Sequence, residues 1–133
     1  MDEKRQFDRF DPVGDIIGYF ELKSELTGEF SNREEFVIKN ISVGGFNLLS
    51  NYSPNVGRNY QIYLNYGELK HEFEVKIVHS RIFRYLDKQD GFFRPGVIFS
   101  HGCQIFFEND GQKNLVQDII HNECEPPALK PPG

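Results

Sequence analysis

Hydrophobic and polar positions alternate along most of this chain, and a period of two residues predicts β-strands rather than helices. The clearest apolar series is Tyr60, Ile62, Leu64 and Tyr66. A turn at Gly67-Glu68 follows, and then a second series with charged residues between its members, Phe73, Val75 and Ile77. The two series predict a β-hairpin with one buried face and one solvent-exposed face.

The alternation slips by one position at Val78, which predicts a β-bulge or the end of strand pairing there. Weaker strand patterns run from about residue 16 to 23, 29 to 41, 46 to 49 and 92 to 99. Six or seven short strands at this spacing predict a mainly β fold, an antiparallel barrel or sandwich. A six-stranded antiparallel β-barrel is the favoured form, because closure leaves no unpaired strand edge.

Two ends of the chain depart from the β pattern. Residues 1–13 are polar and charged, and we expect a flexible N-terminal arm that Phe7 and Phe10 could pin to a surface. The barrel is predicted over residues 14–108. Asn109 is a candidate N-cap with Gln112 three residues on, and apolar residues then recur at helical spacing, which predicts a C-terminal helix over residues 109–124. Residues 125–133 are rich in proline and are expected to be disordered.

Composition limits the function classes. The 133 residues suit one domain with its own core. The net charge of −5 argues against a nucleic-acid polymer as partner, because such proteins carry a basic excess. The sequence lacks a long apolar run and a secretory signal, so we expect no membrane insertion and a cytoplasmic location. Two cysteines and four scattered histidines form no metal signature.

Two short motifs carry candidate chemistry. Arg5 and Arg9 form an RxxxR pair on the arm, and residues 40–45 read Asn-Ile-Ser-Val-Gly-Gly at the end of an apolar run. An arginine fork matches the O6 and N7 acceptors of guanine, pairs with phosphate and stacks on bases. Asn40 and Ser42 offer hydrogen-bonding groups. Gly44 and Gly45 let a base approach the backbone, and either can adopt a positive φ.

The order and spacing of these motifs, with the β-rich sequence after them, resemble the PilZ domain family over about residues 4–100. The family resemblance implies a PilZ-like six-stranded barrel with a C-terminal helix, and cyclic di-GMP as the ligand. It assigns ligand binding to Arg5, Arg9, Asn40, Ser42, Gly44 and Gly45. Many members have a second basic residue just before the first arginine; here it is Lys4, which keeps the charge but not the planar guanidinium, so it is a possible accessory contact.

The resulting hypothesis is a bacterial cyclic di-GMP receptor that orders its arm on the ligand and signals to a protein partner. No catalytic constellation or cofactor motif is evident, so we do not expect an enzyme. Two alternatives stay open: a PilZ-like adaptor that binds protein without nucleotide, and a small oligonucleotide-binding barrel. The second would need aromatic platforms in a basic groove, which the acidic net charge disfavours.

Overall fold

The structure is a computed structural model that describes residues 9–23, 30–91 and 93–124. Lys4, Arg5, Phe7 and the predicted Pro-rich tail lie outside the described residues. The regular elements within the described part are six strands and one helix. They are β1 (Ile17–Lys23), β2 (Phe30–Ser42), β3 (Gly45–Ser50), β4 (Asn59–Tyr66), β5 (Leu69–Leu86), β6 (Gly96–Phe106) and α1 (Asp110–Glu123).

All six strands pair in antiparallel fashion, in the closed order β1-β2-β3-β6-β5-β4. β1 pairs with both β2 and β4, so the sheet returns on itself as a closed barrel. This confirms the prediction of a mainly β fold with six antiparallel strands and a C-terminal helix. Closure gives every strand two hydrogen-bonded neighbours over part of its length.

The core confirms the alternation in the sequence. The inward positions of β4 and β5 are the ones in the two apolar series, and Ile62, Leu64, Val75 and Ile77 are fully buried. Aromatic rings fill part of the interior in edge-to-face contacts, with Phe20 of β1 on Phe36 of the neighbouring β2 and Phe46 of β3 on Phe73 of β5. Such pairs are slightly more favourable than their buried area alone implies.

The predicted irregularity at Val78 is a β-bulge. The register between β5 and β6 shifts between Ile77 and His79, and the Val78 side chain is 54% exposed. The extra residue reverses the alternation, so His79 pairs with Gly102 and Ser80 pairs with the buried His101. The bulge therefore puts a histidine beside the pocket described below.

The helix begins as predicted. Asn109 accepts a hydrogen bond from the Gln112 amide at 3.0 Å, and the Gln112 side chain accepts one from the Glu108 amide at 2.7 Å. These bonds satisfy amides that a helix start leaves without partners. Val116 and Ile119 are fully buried in the same core cluster as the barrel side chains, so α1 packs against the barrel.

The predicted flexible arm over residues 1–13 needs a correction at its C-terminal end. Phe10 exchanges two backbone hydrogen bonds with Ile41 of β2, at 2.8 and 2.9 Å. The Val13 amide donates to the Glu123 carbonyl at 2.8 Å, and Pro12 forms a bridge with Cys124. Residues 10–13 are thus attached to both the barrel and the helix end, because backbone pairing fixes them. We call residues 9–13 the N-terminal segment.

His101 is a fully buried polar residue of the core. Its Nε2 lies 2.8 Å from Ser50 Oγ and its Nδ1 lies 3.0 Å from Ser80 Oγ. Ser50 donates its own proton to the Tyr52 carbonyl at 2.7 Å, so Nε2–H must be the donor to Ser50 and Nδ1 the acceptor from Ser80. Burial lowers the pKa of His101 to about 4, which keeps the ring neutral.

We predict that this histidine makes folding pH-sensitive. The folded pKa lies below the ordinary value of 6.5, so the unfolded chain binds the extra proton. The stabilising contribution is complete above pH 6.5 and is lost as the pH falls towards 4, at up to about 1.4 kcal/mol per pH unit. Urea unfolding between pH 7.5 and 5 measures this slope.

Two variants test the assignment of the slope. His101→Gln should flatten it, leaving the contribution of His79, whose pKa is also lowered. His121→Gln changes an exposed residue of α1 and should keep the wild-type slope. An unchanged slope in His101→Gln would contradict the assignment.

Candidate functional site

A pocket of about 510 Å³ opens on the outer face of the barrel, next to the turn between β2 and β3. Five residues that the sequence predicts as ligand-binding line it: Arg9, Asn40, Ser42, Gly44 and Gly45. They are up to 36 residues apart in the chain, and the pairing of Phe10 with Ile41 brings the two groups together. The remaining predicted positions, Arg5 and Lys4, lie outside the described residues and stay predictions.

The wall of the pocket is a row of residues across four neighbouring strands. Asn40 of β2 pairs with Asn47 of β3, and Asn47 pairs with Gly102 of β6. Gly102 pairs in turn with His79 of β5. With strands spaced about 4.7 Å apart, the row spans about 14 Å. The register therefore brings an amide to one end of the pocket and an imidazole to the other.

The Asn-Ser-Gly motif forms the end of β2, a two-residue turn and the start of β3. Ser42 pairs with Gly45, and the Ser42 hydroxyl donates to the Gly45 carbonyl over 3.4 Å. The Gly44 carbonyl accepts from the Ile105 amide at 3.0 Å, which ties the turn to β6. The described glycines with positive φ are Gly57, Gly67, Gly91 and Gly96. The expectation that Gly44 or Gly45 can use a positive φ is therefore not realised here.

Gly45 has a structural reason to be glycine. A Cβ built on it would collide with the Cys103 carbonyl of β6. The absence of a side chain lets β3 and β6 approach at this point, which the ladder between them requires. Loss of ligand binding in a Gly45 variant would thus report a disturbed barrel as well as a blocked pocket.

Among the described residues that line the pocket, Arg9 is the one with a permanent positive charge. Its side chain is exposed, and the neighbouring Phe10 fixes its backbone beside β2. None of the described residues that line the pocket carries a carboxylate. The charge of Arg9 therefore favours an anionic ligand.

His79 is a pocket residue that the sequence interpretation missed, since it treated all four histidines as ordinary. Its ring occupies the space where a Gly102 Cβ would lie. Its Nδ1 is buried and has no hydrogen-bond partner within the described part of the chain. A buried polar atom without a partner costs about 1–3 kcal/mol. Burial lowers the His79 pKa, and the charges of Arg81 and Arg9 lower it further.

A second missed residue is Asn47, between Asn40 and Gly102 in the row. It is buried, and its side-chain oxygen accepts a hydrogen bond from Ser100 Oγ at 2.8 Å. The slip of alternation at Val78 was the available signal for His79. For Asn47, the available signal was a polar residue at an outward position of a short apolar strand. Neither signal identifies a pocket residue unless the register between the strands is also known.

Metal binding, membrane crossing and thiol chemistry each place their own requirements on the described residues. They contain no group of three or more histidine, cysteine or acidic side chains placed to hold a metal ion. Among them, too, no helix has the length and apolar character needed to cross a membrane. Cys103 lines the pocket, but burial raises its pKa to about 12, so it remains a thiol.

Comparison with solved structures identifies the fold. The PilZ domain of YcgR from Escherichia coli, determined with c-di-GMP, superimposes with a TM-score of 0.66 and 16% identity over 91% of this chain and 92% of that one. This chain has a PilZ fold. The K. pneumonia MrkH–c-di-GMP complex matches with a TM-score of 0.65 and 19% identity, over 92% of this chain and 53% of MrkH.

The inhibitor of motility MotI/DgrA of Bacillus subtilis is a more distant PilZ-fold match, with a TM-score of 0.56 and 16% identity over 90% of this chain and 50% of MotI. The chain thus spans nearly all of the isolated YcgR domain but about half of MrkH or MotI. No protein-family model matches the sequence, and no curated protein matches it either. The likeness to PilZ domains lies in the fold.

We predict that Gly45→Ala destabilises the PilZ barrel by about 1–3 kcal/mol, because the added methyl group collides with the backbone of β6. The matched control is Gly14→Ala, since a Cβ on Gly14 has open space around it and its φ is not positive. Thermal unfolding of both variants measures the difference. Equal midpoints would show that the glycine at position 45 is not needed for strand approach.

Proposed function

We propose that this chain is a cyclic di-GMP receptor rather than an enzyme, with Arg5, Arg9, Asn40, Ser42, Gly44 and Gly45 as its ligand-binding residues. The observation that carries the proposal is the pocket in which Arg9 meets the Asn-Ser-Gly turn of β2 and β3. The PilZ-fold structures of YcgR and MrkH with c-di-GMP support the choice of ligand.

The chemistry of the pocket agrees with such a ligand. Cyclic di-GMP combines two guanine edges with two phosphodiester charges. Arg9 can form a bidentate pair of hydrogen bonds with a guanine or a phosphate, and the guanidinium group of Arg5, four residues earlier, can form a second pair. Asn40 can donate to and accept from a base edge, and Ser42 adds a hydroxyl. Lys4 directly precedes Arg5 in the sequence and is a further cation that could reach the ligand.

The proposed signal passes through the N-terminal arm to a protein partner. Because Phe10 is already paired with β2, the part of the arm that the ligand can reposition lies before residue 9. Closing that part over a bound nucleotide creates a new surface, and a partner that binds this surface would bind more tightly when ligand is present. A bacterial cytoplasmic setting, without a nucleic-acid polymer as partner, remains part of the proposal.

We predict that cyclic di-GMP binds to the wild-type protein and that GMP binds far more weakly. The reason is that a single guanine cannot bridge the cations of the arm and the Asn-Ser-Gly turn at the same time. Isothermal titration calorimetry with each nucleotide measures the difference. Equal affinities would contradict the proposed two-part site.

The same titration assigns the site through a pair of arginine variants. Arg9→Ala should lose about 5- to 150-fold in affinity, because one bidentate contact contributes about 1–3 kcal/mol. Arg58→Ala is the control, since Arg58 is also exposed but lies outside the pocket, near the ring of Tyr60. Arg81 would be a poorer control, because its charge acts on His79. Similar losses in both variants would reject the assignment.

Amide hydrogen exchange tests the proposed arm closure. The amides of Phe10 and Val13 should be protected with or without nucleotide, because both donate to backbone carbonyls. Saturating cyclic di-GMP should add protection over residues 4–8. Unchanged exchange at residues 4–8 under conditions where calorimetry shows binding would reject the switch but not the receptor.

A further inference from the structure

We propose that His79 contacts the bound nucleotide at the end of the pocket opposite Asn40. This inference rests on the proposed function and adds to it a residue that belongs to neither sequence motif. It also gives ligand binding a dependence on pH, which the two motifs alone would not provide.

The position of the ring is the first argument. His79 and Asn40 are the two ends of the row that crosses β5, β6, β3 and β2. Gly102 has no side chain between them, and the imidazole lies over its backbone. A ligand that follows this row from Asn40 therefore reaches the imidazole without crossing a side chain at position 102.

The second argument is the state of Nδ1. This atom is buried, yet it has no hydrogen-bond partner among the described residues. His101, the histidine behind it in the core, has a partner on each ring nitrogen. A ring that served only as packing over Gly102 could be a Phe at no polar cost. If the imidazole turns on binding so that a ligand group reaches Nδ1, a hydrogen bond to this atom removes the deficit.

The imidazole also suits the chemistry of the ligand. A flat aromatic ring at the pocket wall can stack on a base, as histidine does in other nucleotide sites. As imidazolium, both nitrogens become donors, and the ring carries a positive charge towards a phosphodiester. Arg9 and His79 would then offer two cations to a ligand that carries two negative charges.

The charges around His79 decide the direction of the pH effect. Arg81 lies two residues further along β5, Arg9 is on the N-terminal segment, and His101 lies in the core on β6, close enough for the two imidazoles to interact electrostatically. Gln104 and Asn47 are uncharged, and Cys103 stays a thiol. Within the described residues, burial lowers the pKa of His79 in the free protein, and the charges of Arg81 and Arg9 lower it further.

A bound dianion reverses this balance, because a negative charge beside the ring favours the imidazolium form. The His79 pKa in the complex is then higher than in the free protein, and binding takes up a proton. By linkage, affinity rises as the pH falls through the interval between the two values. One proton limits the effect to a tenfold change in affinity per pH unit.

The experiment is calorimetric titration with cyclic di-GMP at pH 5.5, 6.5 and 7.5, in buffers of different ionisation enthalpy, so that proton uptake is counted directly. The wild-type protein should bind more tightly at pH 5.5 than at pH 7.5 and take up a fraction of one proton. His79→Phe keeps a flat ring over Gly102 but removes both nitrogens. It should lose the pH dependence and bind roughly 10- to 150-fold more weakly at pH 5.5.

Two further variants keep the test decisive. His79→Asn is smaller, polar and uncharged, and should also lose the pH dependence if His79→Phe fails to fold. His121→Gln, on the exposed face of α1, should behave as wild type. NMR titration of the His79 imidazole in the wild-type protein should show its pKa rising on addition of cyclic di-GMP.

The outcomes separate this inference from the proposed function. Binding that is independent of pH in the wild type, or a pH dependence that persists in His79→Asn, overturns the role of His79 and leaves the receptor intact. No binding of cyclic di-GMP at any pH overturns the receptor, and the role of His79 falls with it.

Discussion

The close approach of β6 to its two neighbours is the constraint on which the pocket depends. Gly45 allows β3 to approach β6, and Gly102 leaves room for the His79 ring between β6 and β5. With these contacts in place, the backbone ladder sets which residues face one another, and the row from Asn40 to His79 follows from it. Polar side chains from three strands, with the bare backbone of Gly102 on a fourth, thus lie on one outer face and belong to strands rather than to a loop.

The fold could largely be predicted from the sequence because its signals are local. Alternation in β4 and β5 sets the inward faces, and the slip at Val78 marks the bulge. The cap at Asn109 marks the start of the helix. Each of these signals depends only on residues that are close together in the sequence, so it can be recognised before the fold is known.

The site could be predicted only in part, because its assembly depends on register between distant strands. The two motifs contain Arg9 and Asn40, but only the pairing of Phe10 with Ile41 brings them to one pocket. His79 and Asn47 have no motif, and their place in the row depends on three strand registers and one bulge. The close approach of Gly45 to the backbone of β6 also depends on the register and could not be predicted from the sequence, and the role of Gly45 in ligand binding stays a prediction.

The N-terminal segment joins the pocket to the far end of the helix. Between Arg9 and Val13 the chain makes backbone hydrogen bonds with Ile41 of β2 and with Glu123 at the end of α1. These contacts fix the segment at both ends, so a nucleotide that engages Arg9 acts on a backbone that is already held. The backbone beside Arg9 therefore has little ordering entropy left to lose on binding, which favours affinity, while the exposed Arg9 side chain must still be ordered. In the proposed receptor, the conformational response is assigned to the residues before Arg9, where Arg5 is the next cation in the sequence.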